Sequence, residues 1–239
     1  MNSCYSRCIM THSIVTEIGL VSAVAFDMDG LMFDTERIMI DMWAKAASIH
    51  GWQLSEELLL STVGVSAEGT RDMLVAECGP AFPHDSIRAE RLRLEKEYFL
   101  ARGVPLKRGL ADLLEFLKRQ GIPCGVATST SGDRARDTLE RAGVLGYFKA
   151  VLCGDEVVHC KPDPEIYTKL CDRLEVCPGQ CLVLEDSRAG ILAAHSAGCM
   201  PVMVPDLVAP DAVCCEKAVR IVDSLEEVQR WLAVYAVHI

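Results

Sequence analysis

The sequence predicts an α/β fold: a Rossmann-like parallel sheet with helices on both faces, interrupted by an inserted all-α unit. Three observations lead there. From residue 105 onward, short apolar runs alternate with amphipathic helical patterns, the signature of crossover connections in a parallel sheet. Between residues 36 and 104 there are helical patterns only. The apolar runs end in acids, hydroxyls or a lysine, and the carboxyl ends of strands are where open parallel sheets bind ligands. The chain therefore divides into a discontinuous core, 1–35 with 105–239, and a helical cap, 36–104.

The elements follow in order. Met1 to Gly19 holds His12 and Glu17 in a broken apolar pattern without a signal-peptide core, and reads as a frayed leader. Val21 to Phe26 is a buried strand carrying the β-branched Val21 and Val24, and it stops at Asp27-Met28-Asp29-Gly30. Helices are expected near 36–50, 55–62, 67–78 and 85–101, closed by Gly51, by Gly79-Pro80 and by Gly103. In the core, Leu110, Leu113, Leu114 and Leu117 recur at helical spacing up to Gly121. Strands are expected at Ile122 to Ala127, Ala150 to Cys153, Cys181 to Leu184 and Pro201 to Val204, with an edge strand at Val219 to Val222. Helices fill 132–142, 163–174 and 187–197. A last helix opens with Ser224 and Glu227 in a capping box and carries Leu225, Val228, Leu232 and Tyr235 on one face.

Composition narrows the function. Half of the 239 residues are apolar, enough for a substantial core. A net charge of −10 disfavours nucleic acid and anionic membrane surfaces, and no apolar run reaches the roughly 20 residues that span a bilayer. Twelve cysteines in a chain this long do not make a disulfide-stapled mini-domain, and several lie inside expected strands as apolar filler, so a reducing cytoplasm is expected. Cys4 with Cys8 and Cys177 with Cys181 have the look of metal pairs, but no further His or Cys completes either set at zinc spacing.

Four strand ends carry the chemistry. Asp27 and Asp29 can divide labour, one as nucleophile and cation ligand, the other as proton donor and acceptor. The plain alternative is an acidic turn. Thr128-Ser129-Thr130-Ser131 can hold phosphate oxygens through hydroxyls and backbone N–H groups, or merely cap a helix. Lys161 sits before Pro162 and Pro164, which fix the backbone around a counter-charge for phosphate. Glu185 and Asp186 add carboxylates from a neighbouring strand, and such a hard-oxygen set suits Mg²⁺. Together these parts describe phosphoryl transfer.

The motifs DMDG followed by LMFDTE, then ATSTS, KPDPEIY and LEDS, occur in this order from Val21 onward. On them the chain resembles the haloacid dehalogenase superfamily, in its β-phosphoglucomutase-like phosphatase group. The resemblance implies that Asp27 attacks phosphorus and becomes an aspartyl phosphate. It makes Asp29 the acid that protonates the leaving alkoxide and the base that activates water. Thr128 and the N–H of Ser129 would hold the phosphoryl group, and Lys161 would neutralise it. Mg²⁺ would be bound by Asp27, the main-chain carbonyl of Asp29 and Asp186, with Glu185 either a ligand or a partner behind the ligands. Asp34, Thr35 and Glu36 would form the hinge of a lid.

Two departures from the mutase pattern argue for hydrolysis. Met39 stands where the mutase has a histidine, and Ala67 stands where it has an arginine that grips a second phosphate. Arg71, one turn beyond Ala67, is either a substrate contact or a solvated helix residue. The expected protein is thus a monomeric, Mg²⁺-dependent phosphatase of a small phosphorylated sugar or polyol. A hexose-phosphate mutase is the first alternative. A dehalogenase, needing neither Asp29 nor a metal, and a non-catalytic phosphometabolite-binding protein rank lower.

Overall fold

A computed structural model describes residues 13–236. Two short strands come first, β1 (Ile14–Thr16) and β2 (Gly19–Val21), paired as an antiparallel hairpin with Ile14 opposite Val21. This corrects the reading of a frayed leader for the described part, residues 13–19; Met1 to His12, including Cys4 and Cys8, lie outside the described residues. Three-residue strands are too short to show a period, yet Ile14 and Val21 bury fully and tie the hairpin to the core. The Glu17 carboxylate accepts from Trp231 Nε1 at 2.8 Å and Arg220 at 3.0 Å, pinning the turn.

The main sheet has six parallel strands. They are β3 (Ala23–Phe26), β4 (Cys124–Ala127), β5 (Phe148–Leu152), β6 (Cys181–Glu185), β7 (Met200–Met203) and β8 (Arg220–Ile221), in the order β5-β4-β3-β6-β7-β8. The strand expected at Val21 to Phe26 is therefore split, its first residue belonging to the hairpin. Alternation along the strands sends residues to opposite faces. Val24, Phe26, Val126, Leu182 and Leu184 pack against α5 (Leu110–Arg119), α6 (Gly132–Arg141) and α10 (Leu225–Tyr235). On the other face, the small Ala23 and Ala25 leave room for Tyr167 and Leu170 of α7 (Glu165–Leu174) and for α8 (Arg188–Ser196). The four leucines of α5 are at most 1 % exposed, as their spacing requires.

A short helix, α9 (Ala212–Lys217), was not legible beforehand; six residues carry too little periodicity, though Asp211 caps it by accepting from Cys214 N–H. The capping box of α10 is shifted: Ser224 Oγ accepts from Glu227 N–H, while the Glu227 carboxylate reaches Asp223 N–H, one residue earlier than expected.

Between β3 and α5 lie only helices: α1 (Glu36–Ile49), α2 (Glu56–Ser61), α3 (Ala67–Cys78) and α4 (His84–Arg102). Ser55 and Ser66 cap α2 and α3 by accepting from Leu58 and Gly69 N–H. These helices share a cluster of their own around Trp43, Leu59, Leu74, Phe82 and Ile87. The chain enters and leaves this unit through two adjacent connectors, bonded by Asp34 N–H to Pro105 O and by Lys107 N–H to Met32 O. Among the described residues no helix is long and apolar enough to cross a membrane.

Candidate active site

Register assembles the site. Phe26 lies level with Val126 on one side and Leu184 on the other, so the next residues, Asp27, Ala127 and Glu185, emerge side by side at the carboxyl edge. The Lys161 ammonium enters from the loop before α7. It donates to Asp27 Oδ1 at 2.6 Å, to Glu185 Oε1 at 2.6 Å and to the Ala127 carbonyl at 3.0 Å. Its loop is held by Glu165, whose carboxylate accepts from Val158 and His159 N–H and pairs with Lys169.

Glu185 is fully buried and already satisfied: Tyr167 Oη donates to Oε1, and Ser187 Oγ and N–H donate to Oε2. Gly190 lies so close that an added Cβ would sit 1.8 Å from the Glu185 carboxyl carbon. Asp186 is likewise backed by a glycine, Gly30, where a Cβ would fall 2.2 Å from Oδ2 at a φ of +84° that itself favours glycine. Asp27, Glu185 and Asp186 each place a carboxylate oxygen within 4.8 Å of the others.

Such crowding of buried acids has an electrostatic consequence. Burial pushes the Asp27 carboxyl up to about 8; Lys161 opposes this, while Glu185 and Asp29 add to it. Asp186 is driven well above the usual range by burial, then by Asp27 and Glu185. Glu36, buried near Asp29 and Asp206, is raised to about 8. Burial works against the charge on Lys161, but Asp27 and Glu185 outweigh it and hold the ammonium protonated. An oxygen-only set with this surplus of negative charge fits a hard divalent cation such as Mg²⁺.

The Asp29 carboxylate lies outside that cluster. Its Oδ1 accepts from Thr35 Oγ1 at 3.1 Å and its Oδ2 from Thr130 Oγ1 at 2.8 Å. Thr130 thus holds an acid as well as belonging to the hydroxyl loop, a role its sequence position did not reveal. Thr128 is buried, with Oγ1 accepting from Thr130 N–H, while Ser129 is exposed at the rim.

A cavity of about 470 Å³ opens above these groups. Asp27, Asp29, Thr128, Ser129, Lys161 and Asp186 line its floor. Its other walls include Glu36, Met39, Trp43 and Ala67 of the helical unit. Arg71 is exposed and does not line this cavity. Arg88, Arg91 and Arg134 line the cavity instead. Nothing in their spacing marked them, since an arginine facing a cavity on an amphipathic helix resembles any other in sequence.

Comparison with known proteins agrees with this geometry. The family model for haloacid dehalogenase-like hydrolases matches residues 21–198. A phosphorylated carbohydrates phosphatase of Thermotoga maritima is 33% identical over 178 residues, covering 74% of this chain and 82% of that protein. A validoxylamine A 7'-phosphate phosphatase of Streptomyces hygroscopicus subsp. limoneus is 33% identical over 174 residues, covering 72% and 80%. Among solved structures, CbbY from Rhodobacter sphaeroides in complex with phosphate superposes with a TM-score of 0.74 at 26% identity, covering 87% of this chain and 96% of that one.

Proposed function

The chain belongs to the haloacid dehalogenase-like hydrolases and is a phosphoric monoester hydrolase, and from that premise we propose that it cleaves phosphorylated sugars or polyols through an aspartyl phosphate with Mg²⁺ as cofactor. One observation carries the reading: the carboxylate of Asp27, paired with Lys161, shares one cavity floor with a second acid, Asp29, held by two hydroxyls.

In this mechanism a carboxylate oxygen of Asp27 attacks phosphorus as the ester P–O bond breaks, and Asp29 gives its proton to the departing alkoxide. Asp29 then takes a proton from water, whose oxygen attacks the phosphorus of the aspartyl phosphate, releasing inorganic phosphate and restoring Asp27. Thr128 and Ser129 N–H orient the phosphoryl oxygens, and Lys161 offsets their charge. Asp27, Asp186 and the main-chain carbonyl of Asp29 would hold Mg²⁺, whose charge, when bound, stabilises the phosphoryl group in transfer. Glu185, its oxygens engaged by Lys161, Tyr167 and Ser187, acts as a positioning residue. The helical unit serves as a cap that excludes water.

Hydrolysis is favoured over mutase chemistry because Met39 and Ala67 both line the cavity and neither can relay a proton or grip a second phosphate. The test is phosphate release from a panel of sugar and polyol phosphates, with aryl phosphate as reference. Turnover is expected to require Mg²⁺, to stop with EDTA and to vanish in Asp27→Asn. Mg²⁺-dependent turnover surviving in Asp27→Asn rejects the nucleophile. Phosphorus NMR showing β-glucose 1-phosphate converted to glucose 6-phosphate, without inorganic phosphate, establishes the mutase instead.

A further inference from the structure

Cys181, which sequence spacing set beside Cys177 without completing a metal site, has other thiol partners in the fold. Cys181 opens β6, Cys171 lies on α7, and Cys199 immediately precedes β7; their three Sγ atoms lie within 4.8 Å of one another. Cys171 Sγ and Cys199 Sγ are 3.7 Å apart. Three elements separated by 10 and 18 residues in sequence thus converge their sulfurs on one point. The cluster is outside the catalytic site: Cys181 and Glu185 stand at opposite ends of β6, about 13 Å apart at ~3.3 Å per residue.

We propose that Cys171, Cys181 and Cys199 form a three-sulfur binding site for a soft, thiophilic trivalent centre, with arsenic(III) as its representative.

Spacing, surroundings and charge support this. Cys171 Sγ and Cys199 Sγ already stand 3.7 Å apart and Cys181 Sγ lies within 4.8 Å of both, so small side-chain movements bring all three sulfurs onto one bound atom. Most remaining neighbours in this cluster, among them Leu170, Leu174, Val176, Val183 and Ala194, are apolar, and the hydroxyl of the one phenol, Tyr167, is engaged by Glu185. Hydrogen bonding among the three thiols pushes the Cys171 pKa down and those of Cys181 and Cys199 up, so the triad favours one thiolate held by two thiol donors where burial alone would oppose it. The other charge felt by Cys171 is the negative Asp172. Without a cation to balance it, a divalent ion on three thiolates would leave a buried net negative charge, which is costly. A trivalent centre leaves none. Arsenous acid reacting with three thiols breaks three S–H and three As–O bonds, forms three As–S bonds and releases three waters, with no change of oxidation state. A three-coordinate pyramidal centre also needs no fourth donor. Entry is from the side of Cys199, which is 8 % exposed where Cys181 is 0 %.

The test is native mass spectrometry of the full chain, kept reduced by a phosphine, titrated with arsenite. The expected adduct is one arsenic with the loss of three protons. Apparent affinity should fall at least tenfold in Cys171→Ala and in Cys199→Ala. It should be unchanged in Cys160→Ala and Cys215→Ala, which remove exposed thiols. Far-UV circular dichroism checks folding, and Cys199→Ala, at the rim, carries the test should Cys171→Ala fail to fold. Equal binding by all variants, or an adduct that has lost only two protons, overturns the proposal.

Discussion

Glu185 shows how one side chain sets the geometry of others it never reacts with. Its Oε1 receives both the Lys161 ammonium and the Tyr167 hydroxyl, so removing the hydroxyl leaves a buried carboxylate short of a donor and Lys161 free to shift. Tyr167→Phe should therefore fold normally yet lose roughly 10- to 100-fold in kcat/KM, the usual scale for partners standing behind reacting groups. Steady-state kinetics against an aryl phosphate checks it, and unchanged kinetics would demote Tyr167 to core packing. Glu165 acts on the same lysine at one remove. Its pairing with Lys169, together with its bonds to Val158 and His159 N–H, holds its carboxyl down at about 2. An unfolded Glu titrates near ~4.3, so the folded state binds its proton more weakly. The stabilisation is then fully present above the unfolded value and is lost as pH falls towards about 2. Glu165→Gln should be less stable than wild type at neutral pH, the two converging in acid. Urea midpoints measured from pH 7 down to pH 2 test the sign; a constant gap would show that Glu165 works without its charge.

Helix α4 carries an ion-pair contact that crosses from the helical unit to the sheet-bearing part. Arg91, buried over the Trp43 ring, pairs with Glu95 at 2.6 Å, and Glu95 also takes Arg134 of α6 at 2.6 Å. Truncating Glu95 would strand a buried guanidinium, so Glu95→Ala should cost about 3 kcal/mol, read as a lower urea midpoint at unchanged slope. A cost near zero would mean that water reaches Arg91 readily. None of these partners was legible in the sequence, and the reason is general to this chain. What could be read were features whose information is local: the i, i+3, i+4, i+7 leucines of α5, the capping serine at 224, and the acids that stop β3 and β6. The hairpin at Ile14–Val21 and the short α9 were too brief to carry a period. Thr130 on Asp29, Tyr167 on Glu185 and the three convergent thiols depend on register between elements distant in sequence, which spacing along the chain does not encode.

At the scale of the whole molecule, two cores are joined by two connectors. One core lines both faces of the six-stranded sheet; the other, around Trp43, Leu59, Leu74, Phe82 and Ile87, belongs to the four helices. The connectors touch through a few backbone bonds near Asp34 and Lys107 and through Lys107, whose Nζ reaches Asp206 at 2.5 Å and Asp34 at 3.2 Å. The helices' apolar cluster shares no residue with those of the sheet, so the helical unit should be able to loosen without melting the sheet, as the proposed cap would have to. Leu74, on α3 and 0 % exposed, allows a test away from the cavity walls. Leu74→Ala removes buried methyl groups and leaves a void, at a cost of about 3 kcal/mol. If the units are energetically separate, amide hydrogen exchange should quicken through α1 to α4 while β3, β4 and β6 keep their protection. KM should change more than the rate of attack at Asp27, because the floor of the cavity is untouched. Uniform acceleration across the sheet as well would show a single cooperative body, and the division at residues 36–104 would then describe topology without describing motion.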